Sequence, residues 1–354
     1  MKKVVLAIDS FKGCLTSAEA EAAVAEGLDG CDVVKIPVTD GGDGMLDAFA
    51  ATLHAKRQKV VVRDAMMRLV EAEYALTDDG VAVIESAQAC GIMRLKPEEL
   101  NPRVATSYGV GQLIADALKR GSRKIVIGLG GSATSDCGLG MLHALVDIFT
   151  DRRPGRNIDD ISMPHCEIDI LSDVDNPLYG ERGAAAVFGP QKGATPQMVD
   201  CLDRRARTFA RMAARHLGFD CSERAGAGAA GGLGYALMEF LGANVFHGAE
   251  YFLSLVNFDE IIRGTDVIVT GEGSADKQTL MGKIPSAILR HAESQHIPVV
   301  LLAGKVSDAD ELRAAGFSKV VDINAGYDTN ENPLDKEVAR GRLKACPMTC
   351  QRHK

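Results

Sequence analysis

The sequence predicts an α/β protein with a discontinuous, doubly wound parallel-sheet domain and a second α/β domain. Short apolar runs such as Val4–Ile8 and Ile125–Ile127 lack the polar alternation of half-exposed strands, so we expect them to be covered on both faces. Apolar residues at helical spacing occur between such runs, for example from Val110 to Leu118. The 354 residues are enough for two domains with separate cores.

The first 44 residues show two strand-like runs, each followed by a loop with acidic residues. Val4–Ile8 is the expected first strand, and Asp9 follows it directly. Val33–Val38 is the expected second strand, and the glycine-rich loop after it carries Asp40 and Asp43. Both loops are therefore expected at the carboxyl ends of strands.

The alternation of strand-like and helical segments is interrupted between residues 59 and 86. Three strand-like runs, at 59–63, 70–76 and 81–86, are separated by turn residues with no long helix between them, which predicts an antiparallel meander. The α/β alternation resumes at Thr106. These changes predict a doubly wound domain of residues 1–57, 99–150 and 262–354, a second domain of 58–98 and 151–261, and an active site in the cleft between them.

The stretch Lys124–Gly140 reads as a buried strand, a glycine-dense loop and the start of a helix capped by Ser135 or Asp136. Such a turn can present bare backbone N–H groups to a phosphate at a positive helix end. The other interpretation is a tight turn whose glycines only allow close packing. We favour the anion site.

Two glycine patterns leave a dinucleotide site open as an alternative. Gly128–Ala133 fits a relaxed GxGxxA pattern after a strand, which keeps an NAD(P)-dependent oxidoreductase as a rival hypothesis. Gly226–Gly231 fits GxGxxG, but no convincing strand precedes it. A GxxxxGK[ST] phosphate loop does not occur in the sequence.

Charged and hydroxyl-bearing residues are expected to gather at one sheet edge, because ligands of parallel sheets bind beyond the carboxyl ends of the strands. This predicted edge comprises Asp9 with Lys12, Asp40 with Asp43, the Gly128–Ser135 loop, Glu272 with Asp276, and Lys305. Such a mixture suits phosphoryl transfer. Carboxylates can hold Mg²⁺ or accept a hydroxyl proton, and lysines and backbone amides offset phosphate charge.

Three further residues are candidates for binding a ligand, but each could instead have a purely structural role. Asp173 and Asp175 could bind a metal ion or form an Asx-type turn before Pro177. Lys192 could meet an anion or be a solvated loop lysine.

Charge and hydropathy limit the possible partners. A net charge of −8 argues against a general nucleic-acid binder, which would usually be basic. No apolar stretch approaches the length that spans a bilayer, and the apolar run Val4–Ile8 is too short for a signal peptide. We therefore expect a cytoplasmic protein with a small-molecule substrate, no nucleic acid and no membrane partner.

Nine blocks in order resemble the glycerate kinase family of type I. They are DSFKG (9–13), PVTDGGDG (37–44), ESA (85–87), TSYGVGQLI (106–114), GLGGSATSD (128–136), DVDNPLYG (173–180), FGPQKGA (188–194), GAGAAGGLG (226–234) and GEGSADKQT (271–279). The resemblance covers nearly the whole chain. It implies a flavodoxin-like domain, a second domain described as restriction-enzyme-like, and ATP-dependent phosphorylation of D-glycerate, typically at the 2-hydroxyl.

This resemblance, read with the sheet-edge residues, yields a mechanistic hypothesis with ATP and Mg²⁺ as cofactors. The expected catalytic residues are Asp9, Lys12, Asp40 and Asp43. The expected substrate- or phosphate-binding residues are Arg103, Gly130, Gly131, Ser132, Asp136, Lys192, Glu272, Asp276, Gln278 and Thr279. Asp173 and Asp175 are the candidate metal ligands. The oxidoreductase and a non-catalytic ligand-binding protein of the same fold remain the alternatives.

Overall fold

The computed structural model describes residues 1–42, 44–151, 155–327 and 331–346. Asp43, one of the expected catalytic residues, lies outside them. The strands are β1 (Lys3–Ile8), β2 (Asp32–Lys35), β3 (Lys56–Arg63), β4 (Leu69–Leu76), β5 (Val81–Glu85), β6 (Lys124–Gly128), β7 (Glu167–Leu171), β8 (Asn244–Phe246), β9 (Val267–Glu272), β10 (Val299–Ala303) and β11 (Lys319–Asp322).

The α-helices alternate with these strands over much of the chain, which confirms the predicted α/β class. They are α1 (Ser17–Ala25), α2 (Met45–Thr52), α3 (Ala87–Cys90), α4 (Tyr108–Lys119), α5 (Leu139–Phe149), α6 (Ala184–Phe188), α7 (Pro196–Leu217), α8 (Leu233–Leu241), α9 (Gly248–Leu255), α10 (Phe258–Ile261), α11 (Ile284–Ser294), α12 (Ala309–Ala314) and α13 (Lys336–Lys344).

The first of two compact units comprises Met1–Asp40 and His247–Lys354. Its five strands are all parallel, in the order β2-β1-β9-β10-β11. Numbered within the unit, this is the order 2-1-3-4-5 of flavodoxin-like sheets, in which the direction of winding reverses between β1 and the third strand, here β9. Five successive residues of β1, from Val4 to Ile8, are buried, as expected of a strand covered on both faces.

The second unit, Gly41–Phe246, contains a six-stranded mixed sheet in the order β3-β4-β5-β6-β7-β8. β3, β4 and β5 pair antiparallel, which confirms the predicted meander. β5, β6, β7 and β8 pair parallel. The apolar faces of α4 and α5 join the sheet in one core, which includes Leu113, Ile127 and Leu145.

The structure divides the chain differently from the predicted domain boundaries. Residues 99–150 belong to the second unit because β6 pairs with β5 on one side and β7 on the other. The predicted doubly wound domain also included residues 41–57, which lie in the second unit, and excluded residues 247–261, which lie in the first. A buried apolar strand carries no local mark of which strands it pairs with, so the sequence pattern alone misplaced β6.

None of the helices in the described part of the chain is both long and apolar enough to cross a bilayer.

Candidate active site

Acidic residues stand at the carboxyl ends of the two strands where the winding of the first unit reverses. Ile8 pairs with Gly271, so Asp9, just after β1, and Glu272, the last residue of β9, occupy matching positions on neighbouring strands. The Asp9 N–H donates to the Gly271 carbonyl at 2.9 Å. This crevice is where open α/β sheets bind their ligands.

A cavity of about 560 Å³ opens at this edge. Its charged lining residues are Asp9, Lys12, Asp40, Glu272, Lys283 and Lys305. Its other lining residues are Ser10, Phe11, Cys14, Gly273, Ser274, Gly304, Ile323, Asn324, Pro333, Leu334 and Ala339. Five of the residues expected at the sheet edge, namely Asp9, Lys12, Asp40, Glu272 and Lys305, therefore line one cavity of a single unit.

The carboxyl group of Asp9 binds its proton more tightly than the carboxyl group of an ordinary aspartate. Burial raises its pKa well above the usual 3.8, and the negative charges of Asp40 and Glu272 raise it further. The Ser10 N–H, which donates to Asp9 Oδ1 at 2.7 Å, and the positive charge of Lys12 oppose this shift. A carboxyl group with a raised pKa in a cavity fits the role of a general base near neutral pH.

Glu272 is held by two hydrogen bonds from the segment that follows β9. The hydroxyl of Thr279 donates to Glu272 Oε1 at 2.6 Å, and Lys283 Nζ donates to Oε2 at 2.9 Å. Burial lowers the pKa of Lys283, but the hydrogen bond and charge of Glu272, with the charges of Asp276 and Asp40, raise it above its usual value. The carboxyl group of Glu272 is thereby fixed in position beside an ammonium group.

Lys283 was not among the residues predicted for the site. A signal for it exists, because Lys283 is the N-cap residue of α11, the helix that follows β9. In parallel α/β units the helix after a strand begins at the same edge where that strand ends. A lysine at this position therefore faces the same edge as Glu272.

Asp276 and Gln278 lie in a short turn rather than in the cavity lining. Asp276 Oδ1 caps the 3₁₀-helix Lys277–Leu280 by accepting from the Gln278 N–H at 2.7 Å. The Asp276 N–H donates to the Thr279 hydroxyl at 3.1 Å. In this structure Asp276 stabilises the segment that carries Thr279, and the side chain of Gln278 is exposed.

The glycine-dense loop after β6 belongs to the second unit, so it lies in a different sheet from Asp9 and Glu272. Gly130 and Gly131 are exposed, and within the described residues their N–H groups meet no hydrogen-bond acceptor. Gly131 has a φ of +69°, which favours glycine. Successive free amides of this kind can bind an anion.

The start of α5 differs from the predicted anion site. The helix begins at Leu139, after Gly138 in the left-handed region, and not at Ser135 or Asp136. Asp136 Oδ2 accepts from the Gly140 N–H at 3.0 Å, and the Ser107 hydroxyl accepts from the Met141 N–H at 3.0 Å. Asp136 also accepts from the N–H and hydroxyl of Ser107. Protein atoms therefore occupy the helix end that was expected to bind phosphate.

Lys192 is a buried support beneath the glycine-dense loop. Its Nζ donates to the Thr134 carbonyl at 2.7 Å and to the Ser132 hydroxyl at 3.1 Å, and the side chain is almost inaccessible to solvent. Burial lowers the pKa of Lys192 to about 8, although the charge of Asp136 acts in the opposite direction. Neither Lys192 nor Ser132 is exposed as a direct ligand contact; both hold the loop in place.

The glycines of residues 226–234 serve close packing. A Cβ atom on Gly231 would lie 2.0 Å from the Thr134 carbonyl oxygen, and one on Gly228 would lie 2.4 Å from the Pro177 carbonyl oxygen. The GxGxxG match at 226–231 is thus explained by contacts between backbone segments of the second unit.

Three other predicted residues lie in the second unit. Arg103 is exposed, and within the described residues its guanidinium group has no hydrogen-bond partner. Asp173 and Asp175 follow β7, and the described residues contain no group of three or more potential ligand side chains that could hold a metal ion. A metal site at Asp173 and Asp175 stays a prediction.

Comparison with known sequences identifies the family of this chain. A sequence model described as "Glycerate kinase family" matches residues 4–345. A relative from Bacillus subtilis (strain 168), named glycerate kinase, is 38% identical and covers 92% of this chain and 91% of its own length. A relative from Escherichia coli K12, named glycerate 2-kinase, is 37% identical, with 86% of each chain covered.

Comparison with solved structures agrees. A crystal structure from Salmonella typhimurium LT2, which carries the provisional name glycerate kinase 2, is similar to this chain with a TM-score of 0.81. The two sequences are 34% identical, and the match covers 97% of this chain and 95% of the other.

Proposed function

The chain belongs to the glycerate kinase family and is a kinase, and from this premise we propose that it transfers the γ-phosphoryl group of ATP to the 2-hydroxyl of D-glycerate. The observation that carries the proposal is the cavity of the first unit, in which Asp9, Asp40 and Glu272 face a shared space with three lysines. The relative named glycerate 2-kinase supports the choice of the 2-hydroxyl.

Asp9 is the proposed general base. When its carboxylate accepts the proton of the glycerate hydroxyl, the oxygen attacks the γ-phosphorus, a new P–O bond forms, and the bond to the leaving ADP breaks. The raised pKa of Asp9 makes its carboxylate a stronger base than an ordinary aspartate. Asp43 stays a predicted catalytic residue.

The lysines of the cavity are proposed to bind anionic groups. Lys12 and Lys305 can hold the carboxylate of glycerate or the phosphates of ATP, because both line the cavity. Lys283 holds Glu272 in place through its hydrogen bond. Cations fixed close to the transferring group stabilise the charge that is spread over its equatorial oxygens.

The carboxylates of the cavity fit Mg²⁺. Asp40 and Glu272 both raise the pKa of Asp9, so negative charge is concentrated here, and a divalent cation would relieve that repulsion. Mg²⁺ usually binds through one or two carboxylates together with phosphate oxygens and water. Asp40 and Glu272 are the proposed ligands, and the ion would neutralise phosphate charge.

The second unit carries groups of its own that we propose as anion contacts. The exposed amides of Gly130 and Gly131 can bind a phosphate group, and the unpartnered guanidinium of Arg103 can bind a phosphate or carboxylate group. Ser132 and Lys192 then act by holding this loop.

The test is a steady-state assay of ADP release with D-glycerate and ATP–Mg²⁺, beside an assay of NAD(P)⁺ reduction by D-glycerate. We expect ADP release that depends on D-glycerate and is lost in Asp9→Asn, with Asp32→Asn as a control, since Asp32 is exposed on β2 and does not line the cavity. Nicotinamide reduction without ADP release would establish the oxidoreductase instead.

A further inference from the structure

A second cavity, of about 370 Å³, lies on the second unit. We call it the arginine groove, and it is lined by Tyr179, Arg207, Arg211, Ala214, Arg215 and Asp220. It shares no residue with the cavity that contains Asp9. Its volume is at the lower end of the range for small-molecule sites.

One wall of the arginine groove is fixed by hydrogen bonds. Asp203 Oδ2 accepts from Arg207 Nε at 2.7 Å, and Asp203 Oδ1 accepts from the Gly180 N–H at 2.6 Å. The guanidinium of Arg207 also lies over the ring of Tyr179, with 4.7 Å between its central carbon and the ring centroid. Arg207 is therefore preorganised, while its two terminal nitrogens donate to no atom of the described residues.

Arg211 and Arg215 extend this positive surface along α7. The three arginines are four residues apart, which places them on one side of the helix, while Leu202, Ala206, Ala210 and Ala213 form the buried side. Neither Arg211 nor Arg215 forms an ion pair with any described residue. Five arginines against two aspartates make α7 basic in a chain of net charge −8.

We propose that the arginine groove binds a small organic acid that carries two anionic groups, at least one of them a phosphate. Guanidinium groups bind phosphate and carboxylate through paired hydrogen bonds. Arg207 and Arg215 are eight residues apart, about 12 Å along the helix axis, so two separate anionic groups of one ligand can each meet an arginine. Asp220, which also lines the groove, can accept a hydrogen bond from a ligand hydroxyl.

The proposal is independent of which reaction the first unit catalyses, and titration calorimetry on the full chain tests it. The probes are phosphoglycolate, which has a phosphate and a carboxylate, and inorganic phosphate. We compare wild type with the double variant Arg211→Gln/Arg215→Gln. The matched control, Arg204→Gln/Arg205→Gln, removes the same charge from exposed positions of the same helix outside the groove.

We expect the groove variant to weaken phosphoglycolate binding at least tenfold and the control to change it less than twofold. Arg211→Lys/Arg215→Lys, which keeps the charge but not the paired donors, should fall between them. The proposal is overturned by phosphoglycolate binding that is unchanged in the groove variant or weakened equally in the groove and control variants, or by no binding to wild type at millimolar probe. Inorganic phosphate binding as tightly as phosphoglycolate overturns the requirement for two anionic groups.

Discussion

Asp9 and Glu272 stand side by side at the ends of neighbouring parallel strands, because Ile8 pairs with Gly271 and the Asp9 N–H donates to the Gly271 carbonyl at 2.9 Å. The two carboxyl groups differ in their surroundings. Glu272 receives hydrogen bonds from Thr279 and Lys283, whereas burial and negative neighbours raise the pKa of Asp9. One strand register thus yields two carboxyl groups suited to different roles, a fixed hydrogen-bond acceptor and a base.

Replacing Asp40 should shift the pH dependence of catalysis. The negative charge of Asp40 raises the pKa of Asp9, and only burial has a larger effect on that pKa. Asp9 is a base only when ionised, so activity is lost as the pH falls through its raised pKa. Asp40→Asn should lower that pKa and move the acid limb of kcat/KM, measured for the residual turnover, to lower pH. Asp32→Asn should leave the limb in place. An unmoved limb in Asp40→Asn would exclude Asp9 as the group that controls it.

The Lys283–Glu272 pair should behave as a unit. Lys283→Met removes the ammonium 2.9 Å from Glu272 Oε2, and we expect kcat/KM to fall about 10- to 100-fold. Lys277→Met, at an exposed position that does not line the cavity, should change it less than about twofold.

Glu272→Gln alone and combined with Lys283→Met completes a double-mutant cycle. The combined loss should be clearly smaller than the product of the single losses, because each single variant already breaks the pair. Independent, multiplicative losses would mean that the two side chains act separately.

Gly231 should tolerate no side chain. Its φ is +68°, and a Cβ atom would lie 2.0 Å from the Thr134 carbonyl oxygen. Gly218 has a similar φ of +82° with no heavy atom within 4 Å of that position. We expect Gly231→Ala to lower the free energy of unfolding, measured by urea denaturation, by about 3 kcal/mol or more. Gly218→Ala should lower it by about 1–2 kcal/mol. Equal costs would show that the backbone angle alone matters.

Glu21 should make the stability of the protein fall as the pH rises. Burial raises its pKa to about 9, while Oε1 accepts from the Ile8 N–H at 3.3 Å. The folded protein therefore binds this proton more tightly than the unfolded chain. The stabilisation is complete below the ordinary value of 4.5 and is lost progressively up to about pH 9.

The isosteric variant Glu21→Gln lacks this proton equilibrium. Thermal denaturation should show that wild type loses more stability than Glu21→Gln between about pH 6 and pH 9. Glu26→Gln is the control, because hydrogen bonding to Lys344 lowers the pKa of Glu26 and keeps it ionised over this range. Parallel curves for wild type and Glu21→Gln would contradict the buried, protonated state.

The strand ends of the first unit could be predicted because their signal is local. An apolar run followed directly by an acidic residue marks both the strand and the edge where its ligand groups emerge, as with Val4–Ile8 and Asp9. The same logic placed Asp40, Glu272 and Lys305 correctly at one cavity. These residues needed only the direction of the chain and the parallel class of the sheet.

The predictions from sequence were wrong or incomplete where the structure depends on partners that are distant in the chain. Which sheet β6 joins is decided by its pairing with β5 and β7, which its own apolar residues do not specify. Asp136 caps α5 with help from Ser107, 29 residues earlier in the chain, so the sequence around the loop gave no sign that the helix end was filled. Lys283 went unnoticed because its partner, Glu272, is 11 residues away across a turn.

The proposed reaction is tested most directly by phosphorus NMR of the products that wild-type protein forms from D-glycerate and ATP–Mg²⁺. We predict equal amounts of ADP and a phosphomonoester coupled to the proton on carbon 2 of glycerate, with no product from Asp9→Asn. ATP and D-glycerate left unchanged, or a phosphoryl group on the 3-hydroxyl alone, would contradict it.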